Sequence, residues 1–462
     1  MKKFLFVLLF ISSLASAQHR ADKWYFGVLA ALDFTSGSPA AVSPSALNTN
    51  EGCSSISDSL GNLLFYTEGV TVWNRNHLAM PNGTGLTGGI SATQSALIVP
   101  LPGSVSRYYI FTVDEAGGQN GFRYSEVDMT LDGGMGDVTA NKNILIQNNV
   151  TEKLTAVVQH NGIDYWVAVH QWGSDAFYIY SLTAAGLQTV PVISHSGIVH
   201  DSTQIQNSYG QMKFSFCGDK LALAAGYLNK AEVFSFDDAA GIVSNPVSIP
   251  FSDHVYGIEF SSNGNRLYVS SYAGGGSLEQ FDLSSGNAAA IIASQTTAAF
   301  VTDIYALQFG PDGKIYVCKS FNSHLGVINN PAAPVPACNY VDMGINLDPN
   351  FNGVTSALGL PGFPQSFFRN NDDCIPTGIN NRKLFSGMVI YPNPSSNKFS
   401  IQIPENKLPE EIIIYDRMNR LSEKFISPFQ NFSFGENYPA GVYSVIVKTK
   451  NSVEVFRAVK IN

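Results

Sequence analysis

The densest group of metal-binding side chains in the sequence is the stretch SHSGIVHDST, which carries His195, His200 and Asp201. A zinc site needs several nitrogen, sulfur or carboxylate ligands held in a fixed geometry. The spacing of these residues on a loop fixes no such geometry, and no ligand beyond this stretch is identifiable nearby. We therefore predict no metal site and no cofactor.

Motifs for the common forms of catalysis are missing as well. The sequence has no GxSxG nucleophile elbow, no HExxH pair and no Gly-rich phosphate loop followed by lysine. We predict no catalytic residue from motifs. An enzyme that assembles acids or metal ligands from distant parts of the chain stays open as an alternative.

The elements that must position any site form a repeat. Each unit has a short apolar strand, a tight turn with glycine, and a second apolar or aromatic strand, as in IEFSSNGNRLYVSSYA and LQFGPDGKIYVCKSF. The turn glycines are Gly61, Gly103, Gly162, Gly218, Gly264 and Gly313. The shortest step, from 61 to 103, is 42 residues, and the longest, from 103 to 162, is 59. This is about the length of a four-stranded propeller blade.

Closure of the ring is predicted to use both ends of the repeat region. LGLPGFPQSFF, residues 358–368, is similar to an inner hairpin with no outer strands after it. KWYFGVLAALDFTSG, residues 23–37, is similar to the outer half of a blade. Joined, they give a seventh blade. We predict an all-β fold with a seven-bladed β-propeller over residues 18–370, with six or eight blades as alternatives.

The repeat region resembles the WD40-like and YVTN-type propellers of exported bacterial proteins. The units SSNGNRLYVSS and GPDGKIYVCKS carry the likeness most clearly, and it extends over about residues 20–370. The resemblance is to a fold pattern rather than to one enzyme.

Polar residues stand where the innermost strands of the predicted blades begin. Loops and strand ends from every blade meet at that mouth, which is where propellers bind ligands. We predict that these residues bind a polar ligand such as a saccharide or peptide, against the simpler interpretation that each is a solvated loop residue. They are Glu51, Gln94, Lys153, Gln211, His254 and Asp303.

The N-terminus is predicted to be a signal peptide over residues 1–17. Met1-Lys2-Lys3 precedes the apolar run Phe4 to Leu14, and the small-residue stretch Ala15-Ser16-Ala17 fits a cleavage site. Gln18 is then the first residue of the mature chain. No later segment has the roughly 20 apolar residues of a membrane-spanning helix, so we expect no transmembrane anchor.

Composition and charge limit the classes of partner that the chain can bind. The chain is 45% hydrophobic and 14% charged, which suits a large buried core. Its net charge of −9, without a Lys/Arg cluster, argues against nucleic acid. The five cysteines are far apart and include no CxxC pair. Cys318 and Cys338 could close a local loop, but Cys318 stands in an apolar strand and is predicted instead to be a buried free thiol.

A polar, turn-rich stretch over residues 371–387 is predicted to be a linker. Residues 388–462 then alternate apolar and polar positions over several strands, as in Val442 to Val447, which predicts a small immunoglobulin-like β-sandwich.

This last segment resembles the type A C-terminal sorting domain of the type IX secretion system. The resemblance rests on YPNPSSNKFSI, EIIIYDRMNRLSEKF, PAGVYSVIVKT and the terminal strand, although Asn419 stands where the family usually has glycine. The residues that match the sorting motif are Tyr391, Pro392, Asn393, Pro394, Gly441, Tyr443 and Lys460.

The resemblance implies that the tail is read by an outer-membrane translocon. It also implies passage through the periplasm and a mature protein that is secreted or attached to the outer cell surface. The function proper then belongs to the propeller. A binding, adhesion or structural surface role is favoured over an exported enzyme of lactonase, lyase or hydrolase type.

Overall fold

A computed structural model describes residues 19–42, 45–369, 389–402, 409–416, 421–426, 431–448 and 453–461. The chain divides into two compact units, Met1–Ile375 and Pro376–Asn462. The predicted signal peptide, Gln18, the linker and Asn419 lie outside the described residues. Over the ranges just given, no helix has the length and apolar character needed to cross a membrane.

The first unit begins with a three-stranded antiparallel sheet, followed by six antiparallel sheets of four or five strands, here called blades 1 to 6. The N-terminal sheet has β1 (Lys23–Phe26), β2 (Ala30–Asp33) and β3 (Ala40–Ala41). Blade 1 has β4 (Cys53–Ser57), β5 (Leu63–Thr67), β6 (Thr71–Asn74) and β7 (Ala79–Thr84). Blade 2 has β8 (Ala96–Pro100), β9 (Arg107–Val113), β10 (Phe122–Asp128), β11 (Asp137–Val138) and β12 (Ile144–Gln147). Blade 3 has β13 (Val150–Val158), β14 (Tyr165–Gln171), β15 (Ala176–Thr183), β16 (Gly186–Leu187) and β17 (Val192–His195).

The remaining blades have four strands each. Blade 4 has β18 (Met212–Phe214), β19 (Lys220–Ala225), β20 (Lys230–Asp237) and β21 (Ile242–Pro250). Blade 5 has β22 (Val255–Phe260), β23 (Arg266–Ser271), β24 (Ser277–Asp282) and β25 (Thr296–Ala299). Blade 6 has β26 (Ile304–Phe309), β27 (Ile315–Lys319), β28 (His324–Ile328) and β29 (Tyr340–Asn346).

Helical segments in this unit are short. One α-helix, α1 (Ala288–Ala293), lies between β24 and β25 and is capped by the Asn287 side chain. The 3₁₀ turns are Glu115–Gly117, Asp132–Gly134, Ile205–Ser208, Gly226–Leu228 and Gln365–Phe368.

The predicted repeat is confirmed, because in every blade the glycine-bearing turn joins the first two strands. The turn glycines have φ between 65° and 83°, a conformation that residues with a Cβ rarely adopt. Each turn sets the register of its hairpin, so glycine spacing in the sequence reports blade spacing in the fold.

Adjacent blades bury their aromatic side chains against each other. Phe177 of blade 3 lies with its ring centroid 5.0 Å from that of Phe234 of blade 4. Tyr180, also of blade 3, lies 5.6 Å from Phe122 of blade 2. The aromatic residues of this region therefore pack between blades, as a ring of stacked sheets requires.

The N-terminal sheet lies between blade 6 and blade 1 and joins the two ends of the ring. Trp24 is fully buried, with its ring 5.3 Å from Tyr316 of blade 6 and 6.0 Å from Phe363. On the other side, the Ser55 hydroxyl of blade 1 donates to the Lys23 carbonyl (2.6 Å). The first unit is thus a β-propeller closed by its N-terminal strands.

The predicted inner hairpin over residues 358–368 is wrong. β30 (Pro361–Gly362) instead pairs in parallel with β4 of blade 1. Upstream, the Leu358 carbonyl accepts from Ala306 of blade 6 (3.1 Å) while its amide donates to Asn50 (2.8 Å). This segment therefore runs between the inner strands of blades 6 and 1. Two prolines in it lack the amide donors that a hairpin ladder needs.

The second unit is a sandwich of two antiparallel sheets, as predicted. One sheet has the order β31-β32-β35 and the other the order β34-β33-β36-β37. Both sheets contribute to one apolar core that includes Phe399, Ile412 and Val445. This is an immunoglobulin-like arrangement. Its strands are β31 (Val389–Tyr391), β32 (Phe399–Gln402), β33 (Glu411–Asp416), β34 (Leu421–Ile426), β35 (Asn431–Phe434), β36 (Gly441–Lys448) and β37 (Val453–Lys460).

Among the cysteines, Cys53, Cys318 and Cys338 are buried and free, which confirms the prediction for Cys318. Cys217 is disulfide-bonded.

Candidate ligand site

Side chains fill the centre of the ring. The cavity there is lined by residues of the inner strands and of the 358–368 segment, including Gln94, Gln211, Lys213 and Phe363. The space open to the centre of a water molecule is about 10 Å³. That is room for about one water. A ligand larger than water therefore does not fit in this cavity.

Two of the predicted site residues connect neighbouring inner strands. Gln94 accepts from the Met212 amide (2.8 Å) and the Leu154 amide (3.2 Å), so it links blade 3 to blade 4. Gln211 accepts from the amides of Ile258 (3.1 Å) and Leu307 (2.9 Å), which links blade 5 to blade 6. The backbone occupies these side-chain oxygens, so the structure gives both residues a role in holding the ring.

Lys153 is also engaged with the backbone. It is fully buried, and its ammonium donates to the carbonyls of Ser208 (2.9 Å) and Tyr209 (2.8 Å). Burial lowers the pKa of Lys153 to about 7, and the nearby Glu152 opposes that shift. Its contacts fix the loop that carries Tyr209 at the mouth.

Aromatic rings from blades 4, 5 and 6 meet at this face. Tyr227 and the predicted site residue His254 stack with centroids 3.9 Å apart and planes at 12°. His254 lies 5.9 Å from Tyr272, which stacks on Tyr305 at 5.1 Å. We call Tyr227, His254, Tyr272 and Tyr305 the aromatic row.

The fold explains why these residues converge. His254 immediately precedes β22, and Tyr305 lies at the start of β26. Tyr227 and Tyr272 lie in connections between the second and third strands of their blades. Strand starts and those connections share one face of a propeller, because successive strands of a blade run in opposite directions.

Glu51 lies under the aromatic row. It is 9% exposed and accepts a hydrogen bond from the hydroxyl of the buried Tyr256 (2.8 Å). Tyr256 in turn lies 5.3 Å from Tyr305. Burial, with a smaller contribution from the charge of Glu152, raises the pKa of Glu51 to about 8. At neutral pH this carboxyl therefore holds a proton beneath the mouth.

A second buried carboxyl, Glu152, stands close to Glu51. It accepts from the Thr93 amide and hydroxyl (both 2.8 Å) and from the Ala116 amide (2.7 Å). Burial raises the pKa of Glu152 despite these bonds. The floor of the mouth thus holds two acidic groups that influence each other.

Four tyrosine hydroxyls at the mouth are unengaged. Within the part of the chain that the structure describes, none of them has a hydrogen-bond partner. Burial raises the pKa of the Tyr272 hydroxyl above its ordinary range, and the nearby Tyr227, Tyr305 and Tyr209 add to the effect. The four are Tyr209, Tyr227, Tyr272 and Tyr305.

Asp303 lies exposed at the rim with a positive φ of 62°. After burial, its charge is the next cause that raises the pKa of Tyr305. Glu51, His254 and Asp303 are therefore the predicted residues that the fold brings to the mouth. The ligand-binding role of all six predicted residues stays a prediction.

The tyrosines, which make up most of the mouth, were not among the residues predicted from the sequence. A signal for two of them exists, since Tyr256 and Tyr305 each stand two positions after a predicted site residue, His254 and Asp303. A tyrosine in a strand usually packs in the core between sheets, so the sequence alone does not indicate a binding role. The fold shows which of these rings reach the surface.

The two histidines of SHSGIVHDST lie apart. His195 is exposed and bonded to Asp175 (2.7 Å). His200 is fully buried, with its ring 4.2 Å from that of His170. In the described ranges no group of three or more His, Cys, Asp or Glu side chains is arranged to hold a metal ion.

In the second unit, several residues of the predicted sorting motif form hydrogen bonds with backbone groups of that unit. The Lys460 ammonium is buried and donates to the carbonyls of Gly435 (2.8 Å) and Glu436 (3.1 Å). The Asn393 side chain accepts from the Val459 amide (2.8 Å). Tyr443, on β36 after Gly441, donates to the Pro439 carbonyl (2.8 Å). The three motif residues that are more exposed than these are Tyr391, Pro392 and Pro394.

No protein-family model matches the chain, and no curated protein sequence matches it either. Solved structures similar to it include a candidate 6-phosphogluconolactonase from Bacteroides uniformis, 13% identical over 66% of this chain and 92% of that one, with a TM-score of 0.43. A periplasmic gluconolactonase from Pseudomonas aeruginosa is 13% identical over 77% of this chain and 97% of that one, with a TM-score of 0.37. A hydrazine synthase from Kuenenia stuttgartiensis is 11% identical over 59% and 72%, also at 0.37. Sequence identities and TM-scores this low give no information about the activity or the substrate of this chain.

Proposed function

We propose that this protein is a secreted or cell-surface binding protein that holds a polar ligand at the mouth of its propeller. One observation carries the proposal: unengaged tyrosine hydroxyls share the mouth with a buried carboxyl, Glu51, whose pKa burial raises to about 8. Rings that expose both an apolar face and a hydroxyl bind ligands that have both kinds of surface. Glycans and peptides are the classes that fit.

The proposed route to the surface is the type IX secretion system. The support is the likeness of the C-terminal segment to a type A sorting domain, together with an independent core in that unit. In this proposal the translocon recognises the second unit, and the propeller is its cargo. The mature protein is then attached to the outer surface or released.

A second candidate function is an exported hydrolase, lyase or lactonase with its site at the same mouth. The observation that favours it is the pair Glu51 and Glu152, because a carboxyl with a raised pKa can act as a general acid near neutral pH. In this alternative Glu51 donates the proton.

The test is to screen the full mature chain on glycan and peptide arrays, with and without EDTA, while assaying turnover of lactones and glycosides. The double variant Tyr272→Phe, Tyr305→Phe should lose binding. The control Tyr124→Phe, a half-buried tyrosine in the third strand of blade 2, should keep it. Equal binding by the double variant contradicts the mouth as the site. Turnover that Glu51→Gln abolishes, with binding kept, establishes the enzyme instead.

A further inference from the structure

We infer that the ligand is a saccharide chain without acidic groups, laid along the aromatic row. This inference rests on the proposed function and specifies its ligand class. The row crosses three consecutive blades, with centroid spacings of 3.9, 5.9 and 5.1 Å along it. Two pairs of these rings stack face to face, so an extended ligand laid along the row contacts their exposed edges, their outer faces and the tyrosine hydroxyls.

The exposure of the row suits a sugar surface. Tyr227 is 38% exposed, and His254, Tyr272 and Tyr305 are half-buried. Each ring is therefore fixed by its neighbours yet still offers part of its surface. The C–H face of a pyranose packs on such rings, while its hydroxyls can exchange hydrogen bonds with the tyrosine hydroxyls and the rim carboxylates.

Charge at the mouth excludes acidic ligands. Asp253 and Asp303 lie at the rim beside the row, and both act on the tyrosine hydroxyls there. Of the cations near the row, Lys319 pairs with Asp342 (2.6 Å) and Lys153 is bonded to backbone carbonyls, while the half-buried Lys230 stands three residues after Tyr227. A uronate or sulfate placed beside Asp253 and Asp303 would meet like charge. Neutral and amino sugars meet no such repulsion.

Three exposed phenylalanines extend the apolar surface on the same face. Phe300 is 84% exposed just before β26, Phe321 is 57% exposed after β27, and Phe351 is 93% exposed after β29. Phe321 and Phe351 also hold positive φ angles of 44° and 57°, which non-glycine residues rarely adopt. A longer sugar chain has further apolar surface to contact on this face.

A peptide fits this face less well. Extended peptides usually bind by adding a strand to a free sheet edge. The aromatic row lies at strand starts and connections, and the inner strands beneath it are joined to one another through Gln94 and Gln211. No free edge is therefore offered at the row.

The test measures binding of the full mature chain to a panel of neutral, amino and acidic hexasaccharides, with a random peptide library alongside. Cellohexaose and chitohexaose represent the neutral class, and hexagalacturonate the acidic class. We expect a neutral or amino oligomer to bind, hexagalacturonate not to bind, and affinity to rise with chain length. Tyr272→Ala should weaken binding about tenfold, and Phe351→Ala should weaken binding of the hexamer more than of the disaccharide.

Controls separate this inference from the proposed function. Tyr124→Phe should bind as wild type does, and Tyr272→Phe and Glu51→Gln serve where Tyr272→Ala does not fold. Binding only of acidic glycans or peptides, sensitive to Tyr272→Phe, overturns the inference and leaves the mouth as the site. No binding by any probe, or binding insensitive to every mouth variant, overturns both.

Discussion

At the scale of single residues, the burial of Glu51 sets the chemistry of the mouth. Its carboxyl accepts a hydrogen bond from the Tyr256 hydroxyl and lies near Glu152, and among the described residues no basic side chain is bonded to it. A proton on Glu51 removes the charge and makes the group a hydrogen-bond donor. The floor of the mouth therefore has a donor at Glu51, beside the second buried carboxyl, Glu152.

The raised pKa of Glu51 predicts a specific pH dependence of stability. Between its ordinary value of 4.5 and its folded value of about 8, the folded chain binds a proton that the unfolded chain releases. Stability then falls as pH rises through that window. Glu51→Gln should flatten this part of the profile by on the order of a few kcal/mol.

The measurement is urea unfolding of both proteins at several pH values from 4.5 to 8. Glu115→Gln, which removes an exposed carboxyl at the same face, is the control and should follow wild type. Parallel profiles for wild type and Glu51→Gln would show that Glu51 ionises normally.

At the scale of elements, one buried ion pair holds three inner strands together. The Lys213 ammonium of blade 4 donates to Glu259 of blade 5 (2.5 Å), and to the Leu307 carbonyl (2.7 Å) and the Gln308 side chain (2.8 Å) of blade 6. Glu259 also accepts from the Phe309 amide (2.9 Å). Both side chains are at most 2% exposed, so each charge depends on the other for neutralisation.

Lys213→Met should destabilise the propeller by about 3–5 kcal/mol, because it leaves Glu259 buried without its counter-charge. The double variant Lys213→Met, Glu259→Met should lose less than the single one. Lys220→Met, which removes a more exposed ion pair with Asp219, should cost less than about 1 kcal/mol. Chemical denaturation measures all three. A single variant as stable as the double would mean that the pair is not the connection between these strands.

The N-terminal sheet, which closes the ring, is also expected to be essential for the stability of the propeller. Deleting Trp24 to Phe34 removes a fully buried tryptophan and the sheet that joins blade 6 to blade 1. We expect the whole propeller to lose thermal stability, and Trp24→Ala alone to cost about 3–5 kcal/mol. Val105→Ala, at a 95% exposed position, is the control and should change stability little. An unchanged thermal midpoint after the deletion would exclude the N-terminal sheet from the ring.

Elements were predictable from the sequence where the pattern is local. Gly61, Gly264 and the other turn glycines fix hairpins by their own backbone conformation, so their spacing revealed the blades. The 358–368 segment was not predictable in the same way. The path of this segment is set by contacts with Ala306 and Cys53, which are far away in the sequence. Its apolar residues and glycine are equally typical of a hairpin, so the sequence pattern alone did not distinguish the two.

The residues of the mouth were also predictable only in part. Polar residues at strand starts pointed to the correct face, but side-chain hydrogen bonds determine which of them are available to a ligand. Gln94 and Gln211 bond to backbone groups of other blades, which no local pattern reveals. The tyrosines meet only because three blades bring them to one face.

At the scale of the whole molecule, the two units are proposed to have separate tasks, export and binding. Each unit has its own apolar core among the described residues. We predict that deleting residues 388–462 leaves a folded propeller that accumulates in the periplasm. The measurement is cell fractionation with protease accessibility of whole cells. Truncated protein that still reaches the cell surface would refute the sorting role.

Binding of the ligand at the tyrosine-lined mouth is best tested by a crystal structure of the mature chain with its tightest-binding array ligand. We expect ligand density against the rings of Tyr272 and Tyr305, within hydrogen-bond reach of the mouth hydroxyls. Density confined to the outer strands or to the opposite face, with the mouth free of ligand, would contradict it.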